Sequence, residues 1–150
     1  MQTADVIRRS GIGIGPERTL RDAAIVMERA GVGSLAIIDG DLLVGIVTDR
    51  DLVRRGMARG LDPDARIDSV MSAPVVTVDA DADVHETFAL FRTHPVRRLA
   101  VVRDAHFVGM IAVDDLLVEL ASDLSDLVHP VAAEVRAAQH DSPLPAAVTG

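Results

Sequence analysis

The sequence predicts a mixed α/β (α+β) chain: two consecutive units, each ordered strand, helix, strand, strand, helix, followed by a helical C-terminal tail. Three observations predict it. First, Gly45 has a counterpart at Gly109, 64 positions on, and this offset superimposes Val32, Leu35 and Ala36 on Val96, Leu99 and Ala100 without a gap. Self-similarity at one fixed offset marks a tandem repeat. Second, apolar residues switch between strand-like runs and helical spacing in the same order in each half. Third, 49% of the 150 residues are hydrophobic but only Phe88, Phe91 and Phe107 are aromatic, so the core must be Val, Ile, Leu and Ala. A core of that size suits one domain or two small repeats that share it.

Val6 to Arg9 forms a short amphipathic piece, and the alternation of Gly11-Ile12-Gly13-Ile14-Gly15 then has period two, as in a strand with one glycine-lined face. The glycines resemble a dinucleotide fingerprint only superficially, because Pro16 stands where its third glycine belongs. Thr19 can cap a helix to about Ala30, with Leu20, Ala23, Ala24, Met27 and Ala30 near helical spacing and Gly31 ending it. Val32 to Ile38 and Leu42 to Val47 read as strands about a tight turn at Asp39-Gly40-Asp41. Asp49 to about Arg59 reads as a helix with Leu52, Val53 and Met57 facing inward.

The same offset carries this pattern into the second half. Ile12 and Ile14 fall on Val76 and Val78, Val44 on Val108, and Asp51 and Leu52 on Asp115 and Leu116. The boundaries are therefore 1–60 and 67–121, with 61–66 as a linker. Beyond Ala121, Leu124, Leu127, Val128, Val131 and Val135 keep a helical stripe that is expected to break or restart at Pro130 and to pack on the module or a second copy. Residues 122–140 are thus a helical extension, and 141–150, with Pro143 and Pro145, a disordered tail.

Composition excludes several functions. The net charge of -8 repels duplex nucleic acid and anionic membranes, and interleaved aromatic and basic residues for base stacking are missing. All 15 basic residues are arginine, which with abundant Ala, Asp and Val suits a high-G+C bacterial genome. Without cysteine there are no disulfides, thiolate metal sites or cysteine nucleophiles. The five histidines form no close ligand pair, Asp79-Asp81-Asp83 lacks the glycine and glutamate of a calcium loop, and no serine, histidine and acid form a nucleophile motif. The expectation is a non-enzymatic cytoplasmic protein with no membrane-spanning segment and no required cofactor.

The chemistry centres on the junction GIVTDRD, residues 45–51. Thr48-Asp49-Arg50-Asp51 fits a capping box, in which the hydroxyl and the carboxylate satisfy free backbone donors. The same helix start offers N–H groups and partial positive charge to an anion. The second half carries GMIAVDD at the matching place.

With these two junctions, and with IDSVMSAPVVTV and HPVRRLAVV leading into them, residues 3 to 121 resemble a tandem pair of CBS domains, a Bateman module of the free-standing type. The resemblance implies two repeats related by a pseudo-two-fold axis. It also implies an adenosine-containing ligand (AMP, ADP, ATP, NAD or S-adenosylmethionine) in clefts between them, with Mg2+ only alongside a polyphosphate. It further implies a regulatory role, a homodimer and an unidentified protein partner. On this resemblance Asp51 accepts from the ribose hydroxyls, Thr48 donates to a phosphate or ribose oxygen, and Arg50, Arg97 and Arg98 supply charge. Ile12, Val32 and Val76 lie against adenine, and Asp115 marks the second site. The chain departs from the pattern at Ala112, where threonine or serine is expected, and at Ala36 and Ala100, where proline is common. At most one strong site is expected. The alternatives are that Thr48 and Asp51 only cap their helix, that Arg97 and Arg98 are an exposed pair, that Asp115 is an ordinary first-turn acid, and that the whole is a dimerisation or docking module with empty sites.

Overall fold

The computed structural model describes residues 1–8 and 11–140, the last two by backbone alone; Arg9 and the expected tail 141–150 lie outside the described residues. The two predicted repeats become two three-stranded sheets. In the first, β1 (Gly13–Ile14) lies parallel to β2 (Ser34–Asp39), which pairs antiparallel with β3 (Leu42–Thr48); α1 (Leu20–Ala30) makes the crossover. In the second, β4 (Thr77–Asp79), α3 (Val84–Thr93), β5 (Arg98–Arg103) and β6 (His106–Ala112) repeat that path. The repetition extends to register: Ala36 faces Ile46 as Ala100 faces Met110, and the pairing slips between Ile37 and Ile38 as it does between Val101 and Val102. An irregularity reproduced at one place in both copies is part of the repeat's design.

Local chemistry accounts for the element ends. The Thr19 hydroxyl accepts from the Asp22 N–H at 3.0 Å, and the Asp22 carboxylate accepts from the Thr19 N–H at 3.1 Å, a complete capping box. That backbone bond, then Arg18, holds the Asp22 carboxyl below its ordinary range. What the charged cap contributes is therefore present above the usual carboxylate pKa and is lost as pH falls through the lowered value. Gly31 closes α1 at φ 62°.

The hairpin turns differ. Gly40 supplies the left-handed position in the first, whereas Asp104 and Ala105 sit at φ 50° and 65° in the second. An alanine Cβ in that region costs roughly 1–2 kcal/mol. Ala105→Gly is expected to raise stability by about 0.5–1 kcal/mol after glycine's added unfolded-state entropy. Urea denaturation checks this, and an unchanged or lower midpoint would contradict it.

Two sequence expectations are corrected. The helix after Thr48 is not regular: α2 (Asp49–Asp51) passes into a π-helical turn, Leu52–Gly56, and a 3-10 turn, Met57–Arg59. The wide turn, closed by the Met57 N–H on the Leu52 carbonyl, rotates the later residues off the expected face. Leu52 still packs on the core, but Val53 is 55% and Met57 77% exposed, and Gly56 is the residue turned in against Leu20. The second correction concerns Pro130, which does not break the chain's last helix. α4 runs unbroken over Val113–His140. Proline removes one donor and crowds one carbonyl, and strong helix formers on either side, Leu120, Ala121, Leu124 and Leu127 before it and Ala132, Ala133, Ala137 and Ala138 after it, carry the coil across it. Residues 1–115, which hold both sheets, form one compact unit; residues 116–140 are the described part of a second.

Within the first unit the repeats exchange their opening turns. The 3-10 turn Thr3–Val6 hydrogen-bonds not to its own repeat but to the second, Thr3 N–H to Ala82 O and Ala4 N–H to Ala80 O, both at 2.9 Å. Its counterpart 64 residues on, the turn Ile67–Ser69, lies on the first repeat, with the Ile67 N–H donating to Arg18 O at 2.7 Å. Residues 61–66, expected as a linker, join the same surface: α1 donates from Leu20 to Ala65 O and from Arg21 to Pro63 O, each at 3.0 Å. Ile67 is fully buried among Leu20, Ala23, Met27, Leu35, Ile37 and Val47. At the mirrored place the buried Thr3 hydroxyl meets the Thr87 hydroxyl at 2.8 Å.

Candidate functional site

The strand-to-helix corners stand at the mouths of two clefts in the first unit. At the first corner the Thr48 hydroxyl accepts from the Asp51 N–H at 3.1 Å, and Asp51 Oδ2 accepts from the Thr48 N–H at 2.9 Å. The capping box is therefore real, but it does not exhaust either group. A hydroxyl that accepts here still has its own proton to donate, and a carboxylate has about four acceptor positions. The other Asp51 oxygen, Oδ1, stands 3.8 Å from the Arg55 guanidinium, and the Asp51 side chain keeps 18% of its exposure. At the second corner Asp115 Oδ2 accepts from the Ala112 N–H at 3.0 Å, so half of the box survives without the hydroxyl.

The first cleft, of about 520 Å³, is built across the repeats. Ile46, Thr48, Asp49, Arg50 and Asp51 come from the first, and Val76, Val96, Arg97 and Arg98 from the second, with Ser72, Pro74 and Val75 on the segment leading to β4. The second cleft, of about 400 Å³, brings Ile12, Val32, Gly33 and Ser34 to Met110, Ala112 and Asp115, with Arg8 and Arg98. Both volumes suit a small-molecule site. The offset of 64 maps Ile46, Thr48, Asp51, Val76 and Val96 onto Met110, Ala112, Asp115, Ile12 and Val32, so the clefts are symmetry mates with unlike linings.

The structure thus sorts the predicted site residues. Thr48, Asp51, Arg50, Val76, Arg97 and Arg98 share the first cleft, whereas Ile12, Val32 and Asp115 belong to the second. Ile12 and Val32 line the other cleft from Thr48 and Asp51; the apolar residues lining the first are Val76, Val96 and Ile46, because each corner faces the other repeat. Arg97 lies 3.7 Å from Asp114, both well exposed, a pair of little energetic weight. Among the described residues no carboxylate pairs with the guanidinium of Arg98 or Arg50, although the Arg50 backbone N–H donates to Asp49 Oδ1 at 2.8 Å.

Sequence reasoning missed Arg55 and the crossing segment. The Arg55 guanidinium donates to Val70 O, Met71 O and Ser72 Oγ, each at 3.3 Å, and so ties the Asp51 corner to the segment that reaches the cleft at Ser72. The signal available was the Asp51-Arg55 i,i+4 spacing. The crossing also explains Gly45. Ser72 exchanges two hydrogen bonds with Ile46, at 2.8 and 3.1 Å, which lays Met71-Ser72 directly over β3. A Cβ at Gly45 would collide with the Met71 side chain and sit 3.2 Å from the Ser72 carbonyl oxygen. Gly45→Val is expected to cost about 1–3 kcal/mol through overpacking, read as a lowered urea midpoint. An unchanged midpoint would show that the crossing segment yields freely.

Among the described residues no three of His, Cys, Asp and Glu converge as a metal site, and no helix is long and apolar enough to cross a membrane.

Comparison with known proteins agrees with this geometry. The family model of the CBS domain matches residues 4–58 and again 67–122. Hypoxic response protein 1 of Mycobacterium tuberculosis is 36% identical over 119 residues, 77% of this chain and 83% of that protein. A crystal structure of Hypoxic Response Protein I with two coordinated zinc ions aligns with TM-score 0.69 and 33% identity, over 78% of this chain and 97% of its own. A CBS domain protein from Pyrobaculum aerophilum complexed with AMP aligns with TM-score 0.70 and 25% identity, over 81% of this chain and 99% of its own.

Proposed function

Because the chain belongs to the CBS-domain family and carries a tandem pair, a regulatory type of module, we propose that it senses an adenosine nucleotide held in the Thr48–Asp51 cleft. The observation that carries this reading is the composition of that cleft: a carboxylate and a hydroxyl at a helix start, apolar walls from Ile46, Val76 and Val96, and Arg97 and Arg98 across the gap. Asp51 accepts from the ribose diol, Thr48 donates to a ribose or phosphate oxygen, and the apolar walls cover adenine. Arginine on two sides favours the anionic members of the class, AMP, ADP, ATP and NAD, over the cationic S-adenosylmethionine. Mg2+ enters only with a polyphosphate, and AMP in the Pyrobaculum relative supports the nucleotide class. A ligand contacting both repeats shifts their relative placement by its differential affinity for the two arrangements, and a cytoplasmic partner protein reads that shift. No catalytic step is part of this proposal.

The test is a thermal-denaturation panel with AMP, ADP, ATP, NAD and S-adenosylmethionine. Ligand at 100 times its dissociation constant adds about 2.7 kcal/mol. A flat panel at millimolar ligand would instead favour a docking module with empty clefts.

That second reading draws on α4, where Leu117, Leu124, Leu127, Val128, Val131 and Val135 form one stripe, each more than half exposed. A second copy covering this stripe makes the protein a homodimer under either reading. Sedimentation equilibrium is expected to give a two-chain mass, and a single-chain mass at micromolar protein would remove the dimer from the proposal.

A further inference from the structure

We propose that Arg98 is shared between the two clefts, so that a phosphate-bearing nucleotide in one weakens the binding of a second in the other; this rests on the nucleotide reading above. Among the described residues Arg98 is the one that lines both. Its symmetry mate, Ser34, lines the second cleft alone. The pseudo-symmetry is broken here by side-chain length. Each stands at the start of the middle strand of its sheet, Ser34 paired with Thr48 and Arg98 with Ala112, but only arginine is long enough to reach past its own side of the axis.

Charge makes the sharing matter. Arg98 has no carboxylate partner among the described residues, and a guanidinium offers a phosphate a positive charge and a fork of donors. A planar fork that binds one phosphate bidentately cannot present the same donors to another. The first cleft has Arg97 and Arg50 besides, whereas the second has Gly33 where the first has Arg97, and Ala112 where the first has Thr48. Loss of Arg98 to the first cleft therefore takes from the second one of the two arginines, Arg8 and Arg98, that line it among the described residues. Adenosine, with no phosphate, makes no claim on Arg98 and binds the clefts independently.

The experiment is isothermal titration of the full chain with AMP and, separately, adenosine. Val76→Trp fills the first cleft and Ile12→Trp the second, both without touching a capping residue. With the first cleft filled, the second is expected to bind AMP at least fivefold more tightly than it does as the weaker step of the wild-type protein. By reciprocity Ile12→Trp tightens the first cleft by the same factor relative to the doubly occupied protein. Adenosine shows no such gain, and Arg98→Gln abolishes it for AMP. Equal AMP affinity of the second cleft with the first open or filled overturns the inference. So does a coupling that persists in Arg98→Gln, which would be repulsion between the phosphates themselves. If AMP binds the wild type at a single site and Val76→Trp is silent, the second cleft takes no nucleotide and this inference alone falls. No AMP or adenosine binding to the wild type overturns it together with the nucleotide reading.

Discussion

Asp51→Ala is expected to weaken AMP binding by roughly 10- to 100-fold, because a hydrogen bond to a charged acceptor is worth about 1.5–3 kcal/mol and each 1.4 kcal/mol is tenfold. It also removes the Asp51 Oδ2 bond to the Thr48 N–H, at a cost of about 1 kcal/mol of stability with no ligand present. The two effects are separable. Asp51→Asn keeps an acceptor for the Thr48 N–H and so retains most of the stability, but it surrenders the charge, and with its one oxygen engaged at the cap it offers the diol an NH2 donor in place of the second acceptor oxygen. Calorimetric affinity and unliganded melting temperature, measured on both variants, then distinguish the roles. If capping is the whole task of Asp51, both variants lower the melting temperature to some degree and AMP binds each as it binds the parent. That outcome would remove Asp51 from the ligand site. The corresponding change at Asp115 breaks the bond to the Ala112 N–H and bears on the second cleft, so for the first cleft alone it is a control in which a cap is lost and the Thr48–Asp51 lining is kept.

Much of this architecture was legible in the residues because it is local or periodic. The 64-residue offset, the Thr19 cap, the Gly31 stop and the Thr48–Asp51 box each depend on positions a few residues apart or on simple repetition, and the structure has all of them. The parts that were not legible depend on what lies across the fold. The wheel that turned Val53 and Met57 inward assumes 3.6 residues per turn, and a π-helical turn defeats it. The resemblance sets Ile12, Val32 and Val76 against adenine without saying which cleft each one lines, because that depends on each corner opening on the other repeat's strands. Pro130 carries a local breaking signal that its helix-forming neighbours outweigh. Arg55 acquires its three acceptors only through the crossing of Met71-Ser72, which has no local signal. Exchange of the opening turns has no local signature at all: Thr3 and Ile67 are linked by the offset, but nothing in it says which sheet each one covers.

That exchange gives the largest expected loss of stability. Ile67→Ala is expected to cost about 2–5 kcal/mol, the range for truncating a fully buried aliphatic side chain into a cavity, and to lower the melting temperature by roughly 5–15 °C in a chain of this size. By sequence Ile67 opens the second repeat, but its side chain fills the core between α1 and the first sheet. The damage is therefore expected on the far side of the repeat boundary: amide exchange should quicken first in β1, β2 and β3, while β4 to β6 keep their protection. The mirrored change tests the same logic. Thr3→Val takes away the partner of the buried Thr87 hydroxyl and the bond to Ala82 O, costing about 1–3 kcal/mol for a buried polar group left unpaired, and it should loosen the second sheet rather than the first. Replacing both threonines by valine removes the unpaired hydroxyl and should recover part of that loss. Exchange that quickens in the mutated residue's own repeat would show that the turns are not structurally swapped. If the crossed pattern holds, neither repeat has a complete core without the other's opening turn. A displacement of one half then pulls on both cores at once, and this is the coupling that a sensor straddling the two repeats requires.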